Sequence, residues 1–174
     1  KMPVIFVSGH FSNFELMAMQ IEKSGINLAA IYRPLNNIFL NVIMEKIRKK
    51  YICKNQIKKG TGGVRELLKL YKKGHSIALM IDQRVSEGIK SKFFNEDAFT
   101  TTIPAQFIKK FNCKVVPIYI ERFNGINFSI KIEEPIEFSK NISAERITRD
   151  LNIWLEKMIL KNPNTWIWSH NRWK

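Results

Sequence analysis

A histidine stands where an apolar run gives way to a helix, and a carboxylate follows five positions later, in Gly9-His10-Phe11-Ser12-Asn13-Phe14-Glu15. On one continuous helix that spacing would set the two side chains about 140° apart. With His10 still in the loop and Glu15 one turn inside the helix, the carboxylate can reach back to the imidazole. A carboxylate on Nδ1–H fixes the tautomer, leaves Nε2 as the base and stabilises the imidazolium that forms. This is general-base apparatus without a protein nucleophile. The same spacing also fits a plain capping arrangement in which Glu15 serves only the helix N-terminus, and the local sequence leaves both open.

Other groupings carry less chemistry. Arg33 and the run Asp82-Gln83-Arg84 fall at the ends of apolar runs, and in open α/β sheets ligands gather at the carboxyl ends of strands. Both arginines are therefore candidates to bind an anion. Gly60-Thr61-Gly62-Gly63 lacks the Gly-Lys-Ser/Thr of a phosphate loop and reads as a helix entry. Ser8-Gly9 lacks the Gly-x-Ser-x-Gly elbow of a hydrolase. Cys53, Cys113 and His75 have no reactive neighbours and read as structural. His10, His75, His170 and the two cysteines have no metal-ligand spacing.

The elements that must position these residues alternate between strand and helix. Residues 3–8 form a short β-branched run, and residues 13–23 follow with helical period through Phe14, Met17, Ala18 and Ile21. A strand over 28–32 stops at Pro34. Ile38, Val42, Ile43 and Ile47 mark a helix that ends in the basic cluster 46–50, and residues 51–57 hold a short strand. Val64, Leu67, Leu68 and Tyr71 share a helix face closed by Lys72-Lys73-Gly74. A buried strand follows over 76–81, then a long polar loop over 85–102 containing Phe93-Phe94. Residues 104–111 read as helix and 113–120 as strand, and Asn124-Gly125 turns the chain into a strand over 127–132. Ser143 caps a last helix through Leu160, and the tail is aromatic and basic. The pattern predicts one α/β domain over residues 1–174, with a mixed, mostly parallel sheet flanked by helices.

Composition narrows the partners. Of 174 residues, 45% are hydrophobic and 25% charged, which excludes collagen-like, disordered and disulfide-scaffold classes. The two distant cysteines fit a reducing compartment. Twenty-nine basic against fifteen acidic residues give +14, which points to an anionic partner unless a coding bias toward lysine accounts for it. No window approaches the roughly 18–20 apolar residues of a membrane span, and no signal peptide is legible. The abrupt opening on a strand leads us to expect that a further N-terminal piece precedes this sequence in the natural protein.

The block from Gly9 to Glu15 resembles the H-x4-D/E block of glycerolipid-type acyltransferases, in the form typical of the lipid A biosynthesis (lauroyl/myristoyl) acyltransferases. Further stretches are similar to that family in the same order. They are Tyr32-Arg33-Pro34-Leu35-Asn36-Asn37, Met80-Ile81-Asp82-Gln83, Phe93-Phe94 with Ala98 and Thr100-Thr101, Val115-Val116-Pro117, and the ending NPNTWIWSHNRWK over residues 162–174. The chain departs from the pattern at Asn95, where the family usually has glycine, and the family's N-terminal membrane anchor has no counterpart here.

The resemblance implies acyl transfer from acyl carrier protein to a hydroxyl of a lipid A precursor, at the cytoplasmic face of the bacterial inner membrane. His10 would deprotonate the acceptor hydroxyl and Glu15 would orient His10. Phe11, Ser12, Asn13, Arg33, Asp82, Gln83 and Arg84 would contact the acceptor, with Arg33 on its anionic group. Backbone N–H groups at the start of the helix after His10 would meet the oxyanion. The implied partners are the carrier protein, an anionic glycolipid and a membrane surface, with no cofactor, no metal and no specific nucleic acid. The H-x4-E block does not read the acceptor, so another glycolipid such as a phosphatidylinositol mannoside is an alternative. An RNA-binding module built on the lysine clusters and tail tryptophans is a distant one.

Overall fold

Short β-branched and aromatic runs, broken by glycine, proline and lysine-rich turns, set the strands of the computed structural model, which describes residues 2–173 without the Thr61 side chain. Lys174 of the family-like ending therefore lies outside the described residues. In chain order the elements are β1 (Ile5–Ser8), α1 (Glu15–Lys23), β2 (Leu28–Tyr32), α2 (Ile38–Ile47) running into a π-helical turn (Arg48–Ile52), β3 (Asn55–Lys58), α3 (Thr61–Lys72), β4 (Ser76–Met80), β5 (Ile89–Phe93), β6 (Glu96–Thr100), α4 (Ile103–Phe111), β7 (Val115–Phe123), β8 (Asn127–Ile132) and α5 (Ala144–Lys161). Six strands form one sheet in the order β3-β2-β4-β1-β7-β8, and β5 and β6 pair separately. The chain is thus α/β, with a mostly parallel mixed sheet and helices flanking it, as the alternation predicts.

Two compact units divide the chain, residues 1–6 with 15–79 and residues 7–14 with 80–174. In the first, β2 pairs in parallel with β3 through Ala29↔Asn55 and with β4 through Leu28↔Ser76. Met17 and Ile21 of α1 and Leu67 and Tyr71 of α3 are buried, and the Tyr71 hydroxyl donates to the Pro3 carbonyl at 2.8 Å. The glycines at the start of α3 do mark a helix entry. At Gly63 a Cβ would stand 2.5 Å from the Lys58 carbonyl oxygen, so only glycine lets α3 start this close to β3. The strand expected over 51–57 begins later, at Asn55, because the helical conformation carries on through Ile52.

In the second unit β7 and β8 form the expected antiparallel pair, turned at Asn124 and Gly125 with φ +47° and +77°. The long loop expected over 85–102 is instead a hairpin, with Ile89↔Thr100 and Phe93↔Glu96 in register. Its two-residue turn, Phe94 and Asn95, has φ +49° and +63°. Positive φ at both central positions is the turn that matches strand twist, and Asn95 adopts it without glycine. Ser143 Oγ caps α5 by accepting from the Arg146 N–H at 3.1 Å, and Ile147, Leu151, Trp154, Leu155 and Ile159 of α5 are buried.

The tail is tied to the hairpin by a buried cation. Arg172 is 0% exposed; its Nη1 donates to the Phe99 carbonyl at 2.8 Å and its Nη2 to Thr100 Oγ1 at 2.6 Å. Its guanidinium lies 5.0 Å over the Phe93 ring. Burial pushes the guanidinium down to about 10, against the opposing charge of Asp82. Removing this group leaves a cavity and takes one donor each from the Phe99 carbonyl and Thr100 Oγ1. Arg172→Ala should therefore lower the unfolding free energy by about 3–5 kcal/mol. Arg172→Lys should recover only part of it, because an ammonium lacks the planar fork; urea midpoints of the three proteins check this.

Candidate active site

Within the second unit, His10 closes the turn after β1 with its imidazole 14% exposed. Its Nδ1 lies 2.7 Å from Asp82 Oδ1, just past the end of β4. The other carboxylate oxygen, Oδ2, accepts from the His10 backbone N–H at 2.7 Å and from Trp166 Nε1–H at 2.8 Å. Asp82 is 3% exposed, and burial is the largest influence on it, pushing its pKa up. The hydrogen bond from the His10 ring, the His10 charge, the His10 backbone N–H and the Trp166 N–H together outweigh burial, so the carboxyl sits below the usual carboxylate range. An ionised carboxylate only accepts, so Nδ1 carries a proton in this contact, and in the neutral ring Nε2 is the nitrogen that keeps a lone pair.

The tail aligns this pair. Phe11 and Trp166 form an isolated antiparallel bridge. The Ser12 N–H donates to the Thr165 carbonyl at 2.7 Å, and the Ile167 N–H to the His10 carbonyl at 3.1 Å. Around the imidazole, the Phe14 ring stands edge-on at 4.6 Å between centroids and the His170 ring at 6.0 Å. At Gly9 a Cβ would meet Leu155 Cδ1 at 2.8 Å, Phe11 Cε2 at 2.9 Å and Asp82 Oδ2 at 3.3 Å. Glycine is needed there for closeness, not for its φ.

The sequence expectations divide on this geometry. The carboxylate on Nδ1 is Asp82, not Glu15. Glu15 belongs to the first unit, where its Oε1 accepts from Arg48 Nε at 2.8 Å and Nη2 at 2.7 Å. Asp82, expected as an acceptor contact, is a buried partner of His10. Phe11, expected to touch the acceptor, is 0% exposed and packs edge-on to Tyr119 at 4.7 Å. The amides of His10, Phe11 and Ser12, in the loop before α1, are committed to Asp82, the Gly9 carbonyl and the Thr165 carbonyl.

Ser12 is half-buried at φ +42°, and exposed Asn13 accepts from Arg122 Nη2 at 2.8 Å. Gln83 is half-buried and Arg84 exposed, its guanidinium 5.5 Å over the Phe99 ring. Arg33 is exposed after β2, in the first unit. Trp166 and His170 were legible only as parts of the tail motif. Among the described residues no group of three or more His, Cys, Asp or Glu could hold a metal ion.

Residues 1–174 match the family described as bacterial lipid A biosynthesis acyltransferase. This chain belongs to that family. A curated relative, the lipid A biosynthesis acyltransferase of Haemophilus influenzae, is 25% identical over 178 residues, covering 98% of this chain and 55% of the relative. The chain thus spans about half the length of the curated acyltransferase it matches.

Two outcomes follow for the lipid A acyltransferase-family dyad. A carboxyl whose folded pKa is depressed adds stability above its unfolded pKa of about 3.9, and loses it as pH falls through the folded value. The gap in unfolding free energy between the wild type and Asp82→Asn should therefore shrink as pH falls below about 4; urea titrations across that range read it. Trp166→Phe removes one donor to a buried charge and should cost about 1.5–3 kcal/mol. The cost should be clearly smaller in an Asp82→Asn background, and a double-mutant cycle measures the difference.

Proposed function

We propose that the chain carries the catalytic machinery for O-acyl transfer from acyl carrier protein to a hydroxyl of a lipid A precursor, in the late acylation of that molecule. The observation that carries the reading is the His10 Nδ1–Asp82 Oδ1 contact, which suits Nε2 to act as the base, in a chain of this family. Nε2 removes the acceptor hydroxyl proton as the oxygen attacks the thioester carbonyl. The tetrahedral intermediate collapses, the carbon–sulfur bond breaks, and the imidazolium returns its proton to the leaving thiolate. Asp82 holds the ring and balances the imidazolium charge. With the amides of residues 10–12 engaged, those of Asn13 and Phe14 are the next available to the oxyanion.

Arg33 supplies a planar, permanent cation for an acceptor phosphate, with Arg84 a second; lysine at either position would lose the two-pronged match. Reaction at the cytoplasmic face of the inner membrane fits the substrates of such a step. The net charge of +14 suits an acidic carrier and an anionic glycolipid.

His10→Ala should lower turnover by about 10²- to 10⁴-fold with the fold intact, and Asp82→Asn should approach it by setting the wrong tautomer. Mass spectrometry of lipid A from an acyltransferase-deficient host expressing each form reads the product, and circular dichroism reads the fold. A folded His10→Ala protein retaining more than about a tenth of the acylation removes the base from the mechanism.

A further inference from the structure

The helix α2 turns the usual polarity of a surface helix inside out. An amphipathic helix on a globular body buries its apolar stripe and shows its polar face. In α2 and the π-helical turn, the half-buried side is mainly polar, with Met44 and Ile52 as its apolar members. It carries Asn41, Glu45 and Arg48, at i, i+4 and i+7. Glu45 accepts from the Tyr32 hydroxyl at 2.6 Å and from Asn41 Nδ2 at 2.8 Å, and these bonds hold its carboxyl down at about 2. Arg48 donates to Glu15 and lies 5.6 Å over the Tyr32 ring.

The opposite side is apolar and in water. Ile38 is 77% exposed and Phe39 84%; Val42, Ile43 and Ile47 are exposed beside them, and no residue of α2 is buried. Single exposed apolar residues are ordinary, but a contiguous face of five marks an interaction site. Lysines are set into it. Lys46 shares the exposed side, and Lys49 and Lys50 follow in the next turn, with the Lys50 ammonium 4.9 Å over the exposed Tyr51 ring.

We propose that α2 and its π-helical turn form a membrane-surface element. The helix lies in the interface of an anionic bilayer, its apolar side chains toward the acyl chains and Lys46, Lys49 and Lys50 among the headgroup phosphates. Charge selects the occupant. A second copy of the same face would set lysine against lysine, whereas anionic headgroups match them. Shape agrees, because a single-helix ridge needs a matching groove in a protein partner while a bilayer closes around any ridge. Among the described residues no helix is long and apolar enough to cross a membrane, so the contact is one that lies on the surface. The inference goes beyond the proposed reaction and does not depend on it, since neither His10 nor Asp82 takes part.

Vesicle flotation tests it, with the purified protein and either phosphatidylcholine alone or roughly three parts phosphatidylcholine to one part phosphatidylglycerol. The protein should float with the anionic vesicles and at least about tenfold less with the neutral ones, the difference closing at high salt. Phe39→Ser/Ile43→Ser should weaken binding by about tenfold or more, with an unchanged thermal midpoint because both side chains already stand in water. Lys46→Gln/Lys49→Gln/Lys50→Gln should weaken binding to anionic vesicles only. Wild-type protein that stays with neither vesicle overturns the proposal, as does a serine variant that binds like the wild type. A thermal midpoint that falls in the serine variant would show that the face is covered within the chain. A vesicle-free dimer that the same variant abolishes would assign the face to a second copy, and either result also overturns the membrane reading.

Discussion

A carboxylate with almost no access to water survives as an anion only if the protein replaces the water it loses. Asp82 collects three N–H donors, from the His10 ring, the His10 backbone and the Trp166 indole. Those donors come from the turn after β1 and from the C-terminal tail, so one buried charge draws two chain segments to the end of β4. The requirement explains details that look unrelated. Gly9 must lack a Cβ because the carboxylate and the Phe11 ring approach it, and Phe11 must face inward for its backbone to bridge Trp166. The tail is therefore part of the site and not an appendage to it.

The same tail reaches a second buried group. Six residues after Trp166, Arg172 fastens the edge of the β5–β6 hairpin through the Phe99 carbonyl and Thr100. Trp173 Nε1 donates to the Phe93 carbonyl at 3.1 Å, and Asn152 of α5 donates to the Lys92 carbonyl at 3.0 Å. The hairpin is held by polar side chains buried against it as well as by its own ladder. Several of these acceptors take more than one donor, as the Lys92 carbonyl does from Asn152 and Arg149, and such shared networks are stiff when complete. Stiffness suits a pair whose Nδ1–Oδ1 contact must persist through the proposed reaction.

The α/β alternation was legible because apolar runs of four to six residues between breakers are local signals, and the caps at Ser143 and the turn at Asn124-Gly125 are local too. The hairpin over 89–100 was not read, although its signal is present. Ser91, Phe93, Ala98 and Thr100 are buried at alternate positions, but interleaved Lys, Glu and Asp made the stretch look like solvent-facing loop. Its turn carries Phe94 and Asn95 in place of the glycine that usually announces one. At the site, His10 was legible from its place at a strand end. Its partner was not, because Asp82 lies 72 positions away and meets it through the sheet. Spacing reports neighbours along a helix; it is silent on which strand end lies beside which.

Glu15 shows what the five-residue spacing does hold in place. Its carboxylate meets Arg48, and Arg48 sits on the polar side of the helix pair that also carries Asn41 and Glu45. The periodic apolar residues Ile38, Val42, Ile43 and Ile47 reveal a helix face from sequence, but periodicity cannot say whether that face turns inward. What decides it is the competing set of polar contacts. Tyr32 offers a hydroxyl to Glu45, and Glu15 offers a carboxylate to Arg48, so the polar side of α2 is bonded to the body while Ile38, Phe39, Val42, Ile43 and Ile47 stay exposed. One short block thus supplies both the base of the proposed reaction and, through its acidic residue, an ion pair that helps keep an apolar helix face turned outward.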